Sequence, residues 1–255
     1  MGKLCFEIRE DYLRGALFKD AKLVELRQVR FIRDLEKSNL DRVFSSLVEY
    51  FTKRHGNSEI REIRVCRSEL FDNIDAKEVA KKKYLGEVRV VESIDCFVMG
   101  EYLFSGYGAE RMAGIFFNSR PSARVIIEGK IIDKGHVVDN FEKRYNDSLL
   151  DDFTAGRNLV KIAAMRGVRV DDPGELYSRK YQGIWDEFSV HMAYVLFELI
   201  KLYEPQVIVI GGKVVNARAY FEKGMVAELN KISGEKIPSI RFEKKNTSLF
   251  GAAKV

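Results

Sequence analysis

The sequence predicts an α/β protein of two similar lobes with a cleft between them, and three observations carry that prediction. Near the start, Leu4, Phe6 and Ile8 alternate with polar residues, the period-two pattern of a half-buried strand. Two short apolar runs, Val88–Val91 and Val207–Ile210, read as buried parallel strands, the first as a central one. The order of elements, a strand meander followed by helix, strand, helix and strand, occurs twice. Length agrees, since 255 residues suffice for one large domain or two small ones. The boundary falls where the pattern restarts, giving an N-terminal lobe of residues 1–92 and a C-terminal lobe of residues 93–255. A last helix, 249–255, is expected to pack back on the N-terminal lobe. A duplicated fold of this kind usually binds its ligand between the halves.

Each element has a local reason. Leu13–Phe18 is a second strand, and Lys19-Asp20-Ala21 turns the chain into a third, Leu23–Phe31. A helix capped by Ser38 or Asn39 follows, with Leu40, Val43, Phe44, Leu47, Val48 and Phe51 at three-to-four spacing. His55-Gly56-Asn57 ends it, Ile60–Val65 is a strand and Asp75–Lys83 a short helix. The second half opens with a helix over 94–104, then strands at Ala113–Phe117 and Ala123–Ile127, a Glu128-Gly129 turn and a short strand at Ile131-Ile132. Helices are expected near 149–166 and 173–180. The longest, 182–202, carries Ile184, Trp185, Phe188, Met192, Val195, Leu196 and Leu199 on one face. Val207–Ile210 ends at Gly211-Gly212, a helix runs from Asn216 to Leu229, Ile240–Phe242 is the last strand, and a short helix begins at Leu249.

Composition excludes several classes. With 46% apolar and 32% charged residues the chain is globular, not disordered. No apolar run reaches the ~18 residues of a membrane span, and the start lacks the pattern of a secretory signal. Three cysteines without paired spacing argue for a reducing cytoplasm and against a disulfide scaffold or a zinc site. The net charge of +5 is too diffuse to imply nucleic acid, and the basic clusters Lys81-Lys82-Lys83 and Lys244-Lys245 read as solvated faces.

Pro205 through Val207-Ile208-Val209-Ile210-Gly211-Gly212-Lys213-Val214 resembles the Pro-x-x-Ile-Val-Ile-Gly-Gly-Gly-Val strand and turn of the ROK family of sugar kinases. Gly251-Ala252-Ala253 resembles that family's C-terminal Gly-Ala-Ala, Gly156-Arg157-Asn158-Leu159 its Ser-Gly-Arg-Ala-Leu stretch, and Gly100-Glu101 the end of its interdomain helix. Arg14-Gly15-Ala16-Leu17 matches the second strand of its first hairpin. With gaps, the resemblance spans nearly the whole chain. It implies the duplicated actin-like ATPase (ribonuclease H-like) fold, ATP and magnesium as cofactors, a sugar substrate and a homodimer. It places Gly211, Gly212, Lys213 and Gly251 on the nucleotide. A strand running into glycines brings backbone amides close to a ligand, and the bland alternative is a turn that merely needs glycine.

The family's chemical motifs are altered. Its first phosphate loop, Asp-x-Gly-Gly-Thr-Lys, aligns with Glu7-Ile8-Arg9-Glu10-Asp11-Tyr12. Glu7 keeps an acid for a metal, the glycines are gone, and Asp11 adds negative charge where phosphate belongs; like charges at about 4 Å repel by roughly 1 kcal/mol in water. The glycine-rich second loop aligns with Asn118-Ser119-Arg120-Pro121-Ser122-Ala123-Arg124, read as an exposed turn in which Arg120 and Arg124 can still face an anion. The family's base, an Asp at the start of the interdomain helix, falls on Ser93, with Asp95 two residues on as the nearest substitute or a favourable charge at the helix start. The sugar side is represented by Asp133 and His136 of Asp133-Lys134-Gly135-His136 and by Asp151. The cysteines of the family's zinc loop are missing, so no structural zinc is expected. His191 reads as a packed core histidine and His55 as a helix-end residue.

Three functions follow. One is a kinase homologue with degenerate phosphate loops and base, a poor or inactive kinase that keeps ligand binding or regulation. Another is a working ATP-dependent sugar kinase with Asp95 as base, Glu7 on magnesium and Arg120 and Arg124 on phosphates. The third is a non-enzymatic scaffold. Nucleic acid is not expected, because the first fold strand starts near Lys3 and leaves no room for the DNA-binding domain of the family's repressors.

Overall fold

The computed structural model describes residues 1–9, 12–30, 37–67, 75–117, 121–132, 144–145, 148–149, 153–154, 156–234, 236–244 and 247–255. The chain forms two compact units, Met1–Ser105 with Lys244–Val255, and Gly106–Glu243. The first unit therefore reaches past the expected boundary at residue 92 and takes in the C-terminal helix.

In the first unit, β1 (Gly2–Ile8), β2 (Tyr12–Lys19) and β3 (Lys22–Arg30) make an antiparallel meander. β4 (Ile60–Arg67) joins β1 in parallel and β5 (Glu87–Glu92) joins β4 in parallel, giving the order β3-β2-β1-β4-β5. Strand alternation splits the side chains between two faces. Leu4, Phe6 and Ile8 pack with Leu13, Leu17, Ile63 and Val65 under α1 (Lys37–His55) and α2 (Ala76–Lys81). Cys5, Ala16, Phe18 and Cys66 face the other way, with Cys96 of α3 (Ser93–Phe104) and Leu249 and Ala252 of a C-terminal helix. Gly15 is required by space: a methyl there would lie 2.7 Å from the ring of Phe6 and 2.8 Å from that of Phe51.

The second unit repeats this plan. β6 (Arg111–Phe117), β7 (Pro121–Ile127) and β8 (Lys130–Ile131) form the meander. After a two-residue pair, β9 (Arg144–Tyr145) and β10 (Ser148–Leu149), come α4 (Gly156–Met165) and α5 (Gln182–Tyr203). β11 (Val207–Gly211) lies parallel to β6, α6 (Arg218–Ser233) follows, and β12 (Ser239–Phe242) lies parallel to β11. The order β8-β7-β6-β11-β12 matches that of the first sheet strand for strand and sense for sense. Trp185 of α5 anchors the core, fully buried, its indole N–H donating to the Leu176 carbonyl at 2.8 Å. The chain closes with α7 (Thr247–Ala252).

Several expectations are corrected. Val88–Val91 is parallel but lies at the sheet edge, where Val90 is 40% exposed; a short apolar run does not distinguish an edge from a centre. The helix expected over 173–180 is a pair of 3-10 turns, Pro173–Leu176 and Arg179–Tyr181, and the first is fixed by an Asp172/Glu175 capping box. The helix expected from Asn216 begins at Arg218, after a 3-10 turn over Lys213–Ala217.

Candidate functional site

Of the described candidate residues, Glu7, Asp95 and Gly251 belong to the first unit and Arg124, Gly211, Gly212 and Lys213 to the second. In the first, Glu7 sits near the end of β1 and is 2% exposed. Arg9 Nε donates to its Oε1 at 2.8 Å, Arg14 Nη1 lies 3.7 Å from its Oε2, and the Tyr12 hydroxyl donates to Oε2 at 3.5 Å. Arg9 Nη2 also donates to Ser248 Oγ at 3.3 Å, and Arg14 lies over the Tyr12 ring at 4.0 Å while donating to Gln28. The sequence reading missed these arginines, although the signal was present. Glu7 and Arg14 are register partners in the first hairpin, and Arg9 is two residues from Glu7 and so on the same side. A buried carboxylate held by two guanidinium groups does not fit a magnesium ligand, which needs its oxygens free for octahedral coordination.

Asp95 stands in the first turn of α3, 7% exposed, where a carboxylate favours the helix dipole. Ser93 is the first residue of that helix. Gly251 lies in α7, at its crossing with α3. A methyl on it would sit 1.7 Å from the Cys96 carbonyl oxygen, and one on Gly100 would sit 1.9 Å from that of Thr247. Close approach of the two helices therefore accounts for both glycines. Glu101, fully buried, accepts from Lys244 N and Thr247 Oγ1 at 2.8 Å each and from the Ser105 hydroxyl. At the other end of α7, Arg64 donates to the Ala252 carbonyl and Lys3 to that of Ala253, both at 2.9 Å, so cations cap the helix C-terminus.

In the second unit β11 is buried along its whole length and runs out at Gly211. Gly212 has φ 85° and ψ −172°, a conformation only glycine adopts readily, and opens the 3-10 turn. Its amide was expected to be open to a ligand. Instead it donates to Oε2 of Glu243 at 2.9 Å, a residue the sequence reading passed over. The Lys213 carbonyl accepts from the Tyr177 hydroxyl at 3.2 Å, and partial burial lowers the Lys213 ammonium pKa. Arg124 is not in a turn. β7 begins at Pro121, so Arg124 is a strand residue opposite Gly114, 3% exposed, donating to the Ala123 carbonyl at 2.8 Å. Arg120, Asp133, His136 and Asp151 lie outside the described residues.

Among the described residues no group of three or more His, Cys, Asp or Glu is arranged to hold a metal. Cys5, Cys66 and Cys96 are all buried in the first unit; burial raises the Cys5 thiol, and contact with Cys96 together with burial raises Cys66. His191 is buried against Phe153 and its pKa is lowered by desolvation, as befits a core histidine. His55, in the last turn of α1, pairs with Glu25 at 2.8 Å. Among the described residues no helix is long and apolar enough to cross a membrane.

Solved structures match these units over 99% of the chain. A ROK hexokinase from Thermus thermophilus is 15% identical, superposes with a TM-score of 0.75 and is covered over 97% of its own length. The fold is that of the ROK sugar kinases. Its two mixed five-stranded sheets with helices are the actin-like ATPase architecture of that group. A ROK glucokinase from Streptomyces griseus, solved with glucose and AMPPNP, is 14% identical with a TM-score of 0.72 and is covered over 98%. A ROK transcriptional regulator, a homolog of the E. coli MLC protein, is 14% identical with a TM-score of 0.68 and is covered over 76%. At such identities the likeness is one of fold. No protein-family model matches the sequence, and no curated protein is similar enough to match it.

Proposed function

We propose that this ROK-fold protein binds a sugar or a nucleotide but is a poor or inactive kinase, with a sensing or regulatory role in place of turnover. The observation that carries this reading is Glu7. The acid at the position of the first phosphate loop is buried and held by Arg9 and Arg14. Phosphoryl transfer depends almost wholly on positioning and charge neutralisation, and a carboxylate already satisfied by two guanidinium groups offers little to a metal–phosphate complex. Two further observations support it. Glu243 occupies the Gly212 amide, and Ser93, at the place of the base, cannot take a proton without a base of its own. The ROK fold serves both a glucose-bound kinase and a transcriptional regulator, so sensing is within its range. The experiment is thermal unfolding with sugars, ADP and ATP-magnesium. A ligand at 100 times its dissociation constant adds about 2.7 kcal/mol. The reading expects stabilisation by at least one sugar or nucleotide; stabilisation by none leaves only a scaffold.

Asp95 favours a second reading, a working ATP-dependent kinase with rebuilt contacts. It is an acid held buried in the first turn of the helix that carries the family's base. Arg120 and Arg124 would then face the phosphates, and Asp133, His136 and Asp151 the sugar. Under this reading Asp95→Asn abolishes phosphorylation, and an unaffected variant removes it. A cytoplasmic homodimer accompanies either reading.

A further inference from the structure

The glycine turn after β11 has a feature that its glycines alone do not explain. A strand that ends in glycine at positive φ presents its backbone amide to whatever lies beyond the strand end, and ligand oxygens commonly take such amides. Here the taker is the chain itself, since Gly212 N donates to Glu243 Oε2 at 2.9 Å. The carboxylate is placed by the sheet. Glu243 follows β12 directly, and its own amide donates to the Ile210 carbonyl at 2.8 Å, extending the β11–β12 ladder by one step. The other side of the turn is also fixed, because the Tyr177 hydroxyl donates to the Lys213 carbonyl. A nearby guanidinium, Arg218, lies 4.0 Å over the Phe242 ring and is committed to Glu222 by two hydrogen bonds of 2.7 Å.

A carboxylate on a backbone amide is a charge-assisted hydrogen bond, stronger than the neutral one it replaces. It also sets a negative charge beside an amide that an anionic ligand could otherwise take. We propose that Glu243 is a specificity-determining residue that closes the Gly211–Gly212 turn to phosphate-bearing ligands by occupying the Gly212 amide. A nucleotide must displace this carboxylate against charge repulsion, whereas an uncharged nucleoside meets only the hydrogen bond. This inference rests on the turn being the nucleotide side of the site.

The test is titration of the full chain with ATP-magnesium and with adenosine, for wild type, Glu243→Gln and Glu243→Ala. The Gln variant keeps an acceptor for the Gly212 amide and removes only the charge, which guards against loss of the fold, and a cooperative melt confirms that each variant is folded. The expected result is ATP affinity raised about tenfold or more in both variants, a difference of ~1.4 kcal/mol, with adenosine changed much less. Adding Gly212→Val should cancel the gain. Equal ATP affinity in wild type and both variants overturns the proposal. If Gly212→Val alone still weakens ATP, the turn remains the nucleotide site and only the role of Glu243 falls. ATP binding in no variant overturns both.

Discussion

Glu7 and its partners show how one buried charge organises its surroundings. With 2% exposure, it is stable only because Arg9, Arg14 and Tyr12 surround it. Removing Arg9 takes away the shortest of these contacts and leaves Arg14 as the remaining cation. Arg9→Ala should therefore cost about 2 kcal/mol of stability, in the range of hydrogen bonds to charged groups. Chemical denaturation checks this, and an unchanged midpoint contradicts it. The turn between β2 and β3 makes a separate case. Asp20 and Ala21 have φ of 48° and 61°, the left-handed conformation of a two-residue hairpin turn, and alanine is poorly suited to it. Ala21→Gly should stabilise the protein by ~0.5–1 kcal/mol, the left-handed penalty less the extra freedom of an unfolded glycine. A lower melting temperature would contradict this.

At the scale of elements, contacts made by few side chains hold strands to helices. Glu25 of β3 reaches Tyr50, Arg54 and His55 of α1. Burial pushes its carboxyl pKa up, but hydrogen bonds from Tyr50, His55 and Arg27, aided by the charge of Arg54, outweigh this and hold it at about 2 against an ordinary 4.5. A pKa lowered by folding stabilises the folded state above the unfolded value, and that contribution fades as pH falls toward the folded value. The advantage of wild type over Glu25→Gln should be full above pH 4.5 and shrink between there and about pH 2. Melting curves across that window test the sign. The α3–α7 crossing depends on size alone. Gly251→Ala puts a methyl 1.7 Å from the Cys96 carbonyl oxygen, between two backbones with no flexible side chain to yield. Loss of ~3 kcal/mol or more, at the upper end of overpacking costs, is expected from denaturation, and near-neutral behaviour would contradict this crossing.

Across the whole molecule, the repeated sheet order was legible in the sequence because alternation and short apolar runs report strands directly. The Leu4-Phe6-Ile8 and Val207–Ile210 patterns appear in the structure as β1 and β11. Burial was less legible, since Val88–Val91 has the composition of a central strand and lies at an edge. The candidate site was legible only in its backbone. The glycine turn stands where its motif put it, but what meets that turn, Glu243, is 31 residues away and becomes its neighbour only through parallel pairing of β11 with β12. Arg9 and Arg14 were within reach of hairpin register, but a reading that sought ligands for Glu7 passed over partners within the chain.

The proposed function rests on a ROK fold in which Glu7 and the Gly212 amide are engaged within the chain. Turnover tests this most directly. The protein is incubated with ATP-magnesium and a panel of hexoses and N-acetylated hexosamines, and ADP release is followed. The account predicts release no faster with any sugar than without one. Steady phosphorylation of one sugar at ~1 s⁻¹ or more, the ordinary range of enzymes, and abolished by Asp95→Asn, would contradict it.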